Sequence, residues 1–524
     1  MPPLKPIIAE KFYLPLLLIL SLLLLIPSLG KTPLWIYDEV RNAQCAREMW
    51  ERGDWVVPTF NGGLRTLKPP LHYWFMAVGF EAFGVTEWGA RFFSALFGIA
   101  TIALTYLYVR RWSTPVHAFL SAAVLLASTH FLFEFRMSVP DPYLIFFNTL
   151  SIFTTYQYFT EKKFWALMVA AASFGLGILA KGPVALALPG LGLLCWLIWD
   201  GRWKEIFTLH LIPAAVVMLA VAVPWYWAVH KATNGEWTRG FFLEHNVGRF
   251  SEPMEGHGGL FLVVPLFVLL GMLPASGWVV EAFKKFRETY RHSLFKLALC
   301  VTLSFVAFYS VSGTKLPNYP MPCYPLFATA LGYVLWQLLI GLKQSKIYPL
   351  IVLLCINTAL PVGLYFGIKN EIELRGLEGY AFAVGVLTIT SALSIYLYRR
   401  RGFASVLLAL FVGYCLFNAV FLNFIYPTIY RHNPMSKTIG KIDASRSVVG
   451  YKLFHPSFTY YLPHRVPMLH SVQSLDSFIQ KNGSTTVLTR QSYLEELTSL
   501  QLDTIGIHHD LFESSTTAVM RSKK

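Results

Sequence analysis

Apolar stretches long enough to cross a membrane recur from the N-terminus to about residue 426. About 17 to 25 apolar residues in a row can span a bilayer as a helix. The pattern predicts about thirteen such helices, near residues 12–29, 89–109, 114–133, 142–160, 164–180, 184–199, 207–228, 259–280, 294–312, 321–341, 347–367, 379–398 and 403–426. The first stretch resembles the apolar part of a signal peptide. No small-residue cleavage pattern follows Leu29, so an uncleaved anchor is expected.

A more polar segment, residues 30–88, follows the first stretch and is the predicted first outer loop. Within residues 38–50, apolar side chains such as Val40, Ala43 and Met49 recur at helical spacing on one face. This spacing predicts a short amphipathic helix lying on the membrane surface. Residues 72–83 are similarly apolar but too short to span a bilayer.

The C-terminal segment, residues 430–524, has a different pattern from the rest of the chain. Strand-like runs at 447–453 and 485–489 alternate with helix-like runs at 475–480 and 492–500. We therefore predict an all-α polytopic membrane domain over residues 1–429, with juxtamembrane helices, followed by a small soluble α/β domain over residues 430–524.

The distribution of Lys and Arg orients the predicted helices. Short cytoplasmic loops carry an excess of these residues, and with the N-terminus inside, every predicted inner connector holds at least two of them. An odd number of spans then places residues 430–524 on the non-cytoplasmic side. The formal charge of +15 is spread between apolar runs rather than gathered in a basic domain, so it favours membrane topology over nucleic-acid binding.

Composition agrees with this class: 55% of the 524 residues are hydrophobic and 14% are charged. The six cysteines, four of them inside apolar runs, do not predict a disulfide framework. The histidines show no paired spacing typical of metal ligands, so no metal site and no cofactor are expected.

Ionisable residues outside the inner connectors gather on the non-cytoplasmic side of the predicted topology. Such groups are costly at a membrane and are functional candidates by default. They are Asp38, Glu39, Lys68, Glu134, Arg136, Asp141, Lys181, His245, Arg249 and Lys315. Two separated carboxylates and several cations on one face suit an anionic phosphate substrate together with a general base.

Each of these candidates also has an ordinary structural interpretation. Asp38 could accept hydrogen bonds from the free N–H groups of the amphipathic helix, and spacing alone supports a cap and a catalyst equally. Asp141 precedes a proline, as at many helix starts. Lys181 and Lys315 could extend to the membrane interface, and Lys68 could lie in a solvated turn.

Several ordered motifs are similar to those of one bacterial family. They are Asp38-Glu-Val-Arg-Asn-Ala-Gln-Cys-Ala-Arg-Glu-Met, Gly53-Asp-Trp-Val-Val-Pro, Asn61-Gly, Lys68-Pro-Pro-Leu-His-Tyr-Trp, Phe83-Gly-Val-Thr-Glu-Trp-Gly-Ala-Arg-Phe, Arg136-Met with Asp141-Pro, Gly175-Leu-Gly-Ile-Leu-Ala-Lys-Gly, Phe241-Phe-Leu-Glu-His-Asn-Val-Gly-Arg-Phe and Ser312-Gly-Thr-Lys-Leu-Pro-Asn-Tyr. They resemble the aminoarabinose transferases that modify lipid A, within the protein-mannosyltransferase-like superfamily of GT-C glycosyltransferases. The resemblance covers roughly residues 30–345, and the later helices only in hydropathy.

This resemblance implies an enzyme that takes a sugar from a polyprenyl-phosphate carrier on the outer face of the membrane, with inversion at the anomeric carbon. It implies that Asp38 is the catalytic carboxylate, that Asp141 is the second acidic position, and that Lys68, Arg249 and Lys181 hold the lipid phosphate. The other expected substrate-binding residues are Glu39, Arg136, His245 and Lys315. Asp38 would deprotonate a hydroxyl acceptor, or orient an acceptor phosphate that is already ionised.

The expected partners are a polyprenyl-phosphate-linked sugar, membrane lipids, and an acceptor such as lipid A, another envelope glycan or lipid, or a protein. The expected location is the bacterial inner membrane, with the active site periplasmic. One alternative is a protein O-mannosyltransferase acting on secreted proteins. Another is a lipid flippase or transporter, which predicts mid-membrane ionisable residues and a repeated pair of broken helices. The sequence shows no such repeat, and it leaves the sugar, the acceptor and the oligomeric state open.

Overall fold

Long apolar helices make up most of the chain. The computed structural model describes residues 9–35, 37–248, 258–284, 292–341, 345–453 and 455–523. The longer helices of the membrane domain are Tyr13–Leu25, Asp38–Arg52, Leu71–Phe83, Glu87–Trp112, Pro115–Ala127, Asp141–Glu161, Phe164–Lys181, Val184–Trp199, Leu211–Ala232, Ser293–Val311, Tyr324–Leu339, Tyr348–Asn370, Gly385–Arg400 and Phe403–Val420. Shorter helical segments include Thr129–Glu134, Glu236–Arg239, Gly240–Gly248, Val263–Gly271, Val279–Lys284, Glu378–Val384 and Tyr426–Tyr430.

The count of thirteen spans is not confirmed. Within the described ranges, seven helices are long and apolar enough to cross a membrane, or eight if one bent pair forms a single span. That pair, Val263–Gly271 and Ala275–Ala282, is bent by 116° next to Pro274, which has no N–H to continue a helix. The stretch predicted at 114–133 is also interrupted. There the Ser128 hydroxyl accepts a hydrogen bond from the Phe131 N–H at 3.0 Å and so begins a new helix.

The helices pack closely through small residues and share an apolar core. At Gly175, a Cβ atom would lie 2.7 Å from the Cβ of Val221, so only glycine permits this approach of two helices. All six cysteines carry free thiols, as the sequence predicted.

The first outer loop contains two short helices, Asp38–Arg52 and Leu71–Phe83, joined through a hairpin of Thr59–Phe60 and Gly63–Leu64. The amphipathic helix predicted from residue 38 is confirmed, since Val40, Ala43 and Met49 are buried. The hairpin turn is Asn61-Gly62, and both residues have the positive φ that a two-residue hairpin turn needs.

A small α/β domain follows the membrane helices, as predicted, and it is built around a five-stranded mixed sheet. Its strand order is Met468–Leu469, Ser447–Tyr451, Thr485–Arg490, Thr516–Ser522, Leu502–His509, and the first two pairings are parallel while the last two are antiparallel. Its helices are Pro434–Thr438, Pro456–Tyr461 and Val472–Asn482. The run at 492–500 forms short turns rather than the predicted helix. Three strands were not predicted: Met468–Leu469, Leu502–His509 and Thr516–Ser522. The first is only two residues long, and Leu502–His509 is half-exposed and lacks a clear alternation.

The C-terminal domain packs on the first outer loop. The side chain of Asn61 donates to the carbonyl of Val466 at 2.8 Å and accepts from its N–H at 3.0 Å. The hydroxyl of Tyr461 accepts from the N–H of Leu34 at 2.9 Å and donates to Glu87 at 2.8 Å. These contacts hold the domain over the segment that leads into the helix beginning at Asp38.

Candidate functional site: a cationic cleft beside a buried acid–lysine pair

A cleft brings together side chains from four distant parts of the chain. Its lining is Leu67, Lys68, Lys181, Val184, Phe241, His245, Phe308, Tyr309, Ser312 and Tyr319. Three of the residues predicted from the sequence, Lys68, Lys181 and His245, therefore line one cleft, together with aromatic rings. Cations in a partly apolar cleft suit an anionic group attached to an apolar chain.

Lys181 is the last residue of the helix Phe164–Lys181. The helix ends there because Gly182 adopts φ +87°, and a Cβ atom at Gly182 would lie 2.6 Å from the ring of Phe241. The ammonium group lies 4.8 Å from the ring centroid of Tyr319, a cation–π arrangement. This local geometry holds the charge of Lys181 at the edge of the cleft.

Asp141, which does not line the cleft, binds Lys181. The Lys181 ammonium donates to the Asp141 carboxylate at 2.5 Å, and the two side chains are only 10% and 4% exposed. Asp141 is the first residue of the helix Asp141–Glu161, so the interpretation as a helix start is also correct. The structure thus joins two residues, predicted separately, in one buried ion pair.

Asp38 is exposed and begins the helix Asp38–Arg52. The N-cap residue is Tyr37, so Asp38 is not the cap. Within the part of the chain that the structure describes, its carboxylate makes no hydrogen bond or ion pair. Its charge acts on Arg65 and on Glu134, and Glu134 in turn interacts with the Lys181–Asp141 pair. Asp38 is therefore an exposed carboxylate whose charge reaches the groups around the Lys181–Asp141 pair.

Glu39 is fully buried and does not face the cleft. Its carboxylate accepts from Arg91 at 2.6 and 2.8 Å, from the N–H of Trp35 at 2.8 Å and from the N–H of Ser138 at 2.7 Å. Burial alone would raise the pKa of Glu39, but the charge and hydrogen bonds of Arg91 outweigh it and hold that pKa below its ordinary value. Glu39 was expected to bind substrate, whereas the structure places it in an internal ion pair.

Arg136 also has internal partners. Its guanidinium donates to the backbone carbonyl of Leu24 at 2.9 Å, in the last turn of one helix, and to that of Leu422 at 3.3 Å, in the π-helical turn Phe421–Ile425. These carbonyl partners explain how a buried arginine is accommodated there. Arg136 thus joins two helices rather than lining the cleft.

The remaining candidates are placed as follows. Lys315 donates to the carbonyl of Ser312 at 2.6 Å and does not line the cleft. Arg249 lies outside the described residues. His245 lies in the helical segment Gly240–Gly248.

Lys68 precedes two prolines that lead into the helix Leu71–Phe83, so its backbone position is restricted. His72, the second residue of this helix, is fully buried. Burial, with the charges of Lys68 and Arg65, lowers the pKa of His72 well below its ordinary value. His72 is therefore neutral and adds no charge to this part of the loop.

Sequence reasoning missed the two tyrosines of the cleft. Tyr319 directly follows Asn318 in one of the quoted motifs, but no spacing singles out its ring. Tyr309 lies in the apolar helix Ser293–Val311 and gave no signal. Among the described residues, no three His, Cys, Asp or Glu side chains gather as metal ligands would.

Comparisons with known proteins agree with this architecture. Residues 11–238 match the family model described as dolichyl-phosphate-mannose-protein mannosyltransferase. An undecaprenyl phosphate-alpha-4-amino-4-deoxy-L-arabinose arabinosyl transferase 2 of Pseudomonas fluorescens is 32% identical over 335 residues, which is 62% of this chain and 60% of the relative. An uncharacterized protein of Aquifex aeolicus is 33% identical over 319 residues, 60% of this chain and 62% of that protein. The chain thus spans about 60% of the length of the curated relatives it matches.

A crystal structure of ArnT from Cupriavidus metallidurans bound to undecaprenyl phosphate has the same fold. It superposes with a TM-score of 0.81 at 23% identity and covers 98% of both chains. The chain is thus a mostly helical membrane protein with the fold of ArnT, and over about 60% of its length its sequence is similar to aminoarabinose transferases.

Proposed function

We propose that this protein is an integral membrane glycosyltransferase that moves a sugar from a polyprenyl-phosphate donor to an envelope acceptor such as lipid A. The observation that carries the proposal is the cleft in which Lys68, Lys181 and His245 meet among aromatic side chains. The names of its relatives, which are undecaprenyl-phosphate-dependent transferases of an aminoarabinose group, support the same donor class.

The cleft supplies what cleavage of a sugar–phosphate bond requires. As this bond breaks, negative charge builds on the departing phosphate, and fixed cations in a poorly hydrated cleft stabilise that charge. Lys68 and Lys181 provide the cations, and Asp141 holds Lys181 in place. The rings of Phe241 and Phe308 offer apolar contacts to the first units of a prenyl chain.

Asp38 acts on the acceptor. A hydroxyl acceptor would lose its proton to the free carboxylate as it attacks the anomeric carbon, with inversion of configuration. A phosphate acceptor is already ionised, so Asp38 would then orient it. The C-terminal domain lies next to the segment leading into Asp38 and contributes to the acceptor side.

The proposed location is the bacterial inner membrane, with a cytoplasmic N-terminus. The charge pattern of the short connectors supports this orientation. It places the cleft and the C-terminal domain in the periplasm, where a lipid-linked donor is available and nucleotide sugars are not.

The test uses purified protein in lipid nanodiscs. A sugar is offered on polyprenyl phosphate or on a nucleotide, and the acceptors are lipid A, a non-phosphorylated glycolipid and a secreted peptide. We expect transfer from the polyprenyl donor to lipid A. Transfer from the nucleotide would refute the donor class, and transfer only to the peptide would identify a protein O-glycosyltransferase. Movement of the donor across vesicle membranes without transfer would identify a flippase.

Replacing Lys68 with alanine is expected to weaken use of the donor. A hydrogen bond to a charged partner contributes about 1.5 to 3 kcal/mol, which corresponds to a rise of ~10- to 100-fold in KM for the donor. The measurement is initial rate against donor concentration, with thermal unfolding as a check of folding. Lys31→Ala, an exposed lysine of the same outer loop, is the matched control and should behave as wild type. An unchanged KM in Lys68→Ala would instead favour a solvated turn.

A further inference from the structure

Glu134 is a buried carboxyl group with no role in the mechanism described so far. It is the last residue of the helix Thr129–Glu134, beyond the predicted span at 114–133. The residue is 6% exposed, and its Oε1 atom is buried without a hydrogen-bond partner. Its side chain also hydrogen-bonds with Asn318, which directly precedes Tyr319 of the cleft.

The helices that pack most against the helix Thr129–Glu134 are Pro115–Ala127, Val263–Gly271 and Phe403–Val420, and they carry no Asp, Glu, Lys or Arg. The charged and titratable groups that act on Glu134 therefore come from other elements. Asp141 and Lys181 approach from two helices, Asp38 from the first outer loop, and Tyr324 from the start of the helix Tyr324–Leu339. The hydroxyl of Tyr324 is 2.9 Å from His130, which lies on the same short helix as Glu134. The side chain of Asn318 is the remaining polar group that acts on the carboxyl group of Glu134.

The charges in this cluster do not balance if Glu134 is ionised. Lys181 is already paired with Asp141 at 2.5 Å, so a charged Glu134 would be an extra negative group in a buried place. Burial, followed by the charge of Asp141, raises the pKa of Glu134 well above its ordinary value, against the opposing effect of Lys181. Burial and the charge of Asp141 thus favour the neutral form of Glu134.

We propose that Glu134 is a positioning residue of the donor site, whose neutral carboxyl group leaves the Lys181 ammonium at the edge of the cleft. Its ionisation would add a second anion beside Asp141 and draw the ammonium charge away from a bound phosphate. The inference rests on the proposed function, since it concerns how the cleft holds the donor phosphate. It predicts that donor use falls as pH rises, because Glu134 then loses its proton to solvent.

The test compares pH profiles of wild type and Glu134→Gln, in which glutamine imitates the neutral carboxyl group and cannot ionise. Between about pH 6.5 and about pH 9, we expect kcat/KM for a polyprenyl-phosphate-linked sugar to fall ~10-fold more in wild type than in Glu134→Gln. The fall should lie in KM for the donor rather than in kcat. Titration of Lys181 itself would persist in both proteins and so cannot mimic the difference.

The matched control is Glu161→Gln, a glutamate at the opposite end of the next helix, paired with Arg111. It should keep the wild-type alkaline fall. Identical pH profiles for wild type and Glu134→Gln would overturn the proposal and leave Glu134 a packing residue. Absence of transfer by wild type at every pH would instead refute the proposed function.

A second measurement covers the case in which Glu134→Gln does not fold. Infrared spectroscopy of the wild-type protein without donor should show the carbonyl band of a protonated, buried carboxyl group at neutral pH. We expect this band to disappear at the alkaline pH where donor KM rises. Absence of the band at neutral pH would overturn the proposal, because Glu134 would then already be ionised.

Discussion

Replacing Asp38 with asparagine is expected to lower turnover by ~10³-fold if the acceptor is a hydroxyl group, because a positioned general base contributes about 10²- to 10⁴-fold. Asparagine keeps the size of the side chain but cannot accept the proton. With an ionised phosphate acceptor no proton is removed, and we expect a loss below ~10²-fold. The measurement is single-turnover sugar transfer by purified protein, with each class of acceptor at saturating donor.

Glu51→Gln is the control for Asp38→Asn. It neutralises a carboxylate at the other end of the same helix, where Glu51 is paired with Arg47 at 2.7 Å and is 46% exposed. This variant should retain wild-type turnover. If Asp38→Asn turned over at the wild-type rate with every acceptor, Asp38 would have neither the catalytic nor the orienting role. Its carboxylate would then be only a solvent-exposed charge on the surface of the first outer loop.

The second large effect is expected for Glu39→Gln, and it concerns stability rather than turnover. Removing one partner of a buried ion pair leaves an uncompensated charge and costs about 3 to 5 kcal/mol. Arg91 would keep its hydrogen bonds to the carbonyls of Leu29 and Thr32, both at 2.7 Å, but would lose its counter-charge. The measurement is thermal or denaturant unfolding in detergent, with tryptophan fluorescence as the probe.

The double variant Glu39→Gln with Arg91→Met separates charge from packing. Because it leaves no unpaired buried charge, it should recover part of the stability that Glu39→Gln loses. An equal or greater loss in the double variant would show that the hydrogen bonds of Arg91 to the carbonyls, rather than the ion pair, stabilise the loop. Unchanged unfolding of Glu39→Gln would contradict the structural role altogether.

Because the pKa of Glu39 is lowered in the folded protein, the direction in which pH changes the stability of the fold can be predicted. A carboxyl group whose pKa is lowered by folding stabilises the folded protein at pH values above its ordinary pKa. That contribution is lost as pH falls through the lowered pKa. We therefore expect wild type and Glu39→Gln to differ most at neutral pH and to converge in acid.

The class of protein was determined by the sequence alone, because its signals are local. Apolar runs and helical spacing depend on neighbouring residues, so the membrane domain, the amphipathic helix from Asp38 and the central strands of the C-terminal domain could be predicted. The number of spans could not, since the interruption at Ser128 depends on a capping hydroxyl and the bend near Pro274 on a missing N–H, and neither changes the mean hydropathy of the stretch. Hydropathy averages over such breaks.

The chemistry of individual residues was decided by the tertiary structure. Asp38 and Glu39 are adjacent in sequence but point to different sides of a helix, so one is exposed and the other pairs with Arg91, 52 residues away. Asp141 and Lys181 are 40 residues apart and meet only because the start of one helix packs beside the end of its neighbour. Residues that contact each other across so long a stretch of chain produce no periodic pattern of apolar and polar positions in the sequence. The sequence therefore named the candidate residues, and packing determined which of them face the cleft.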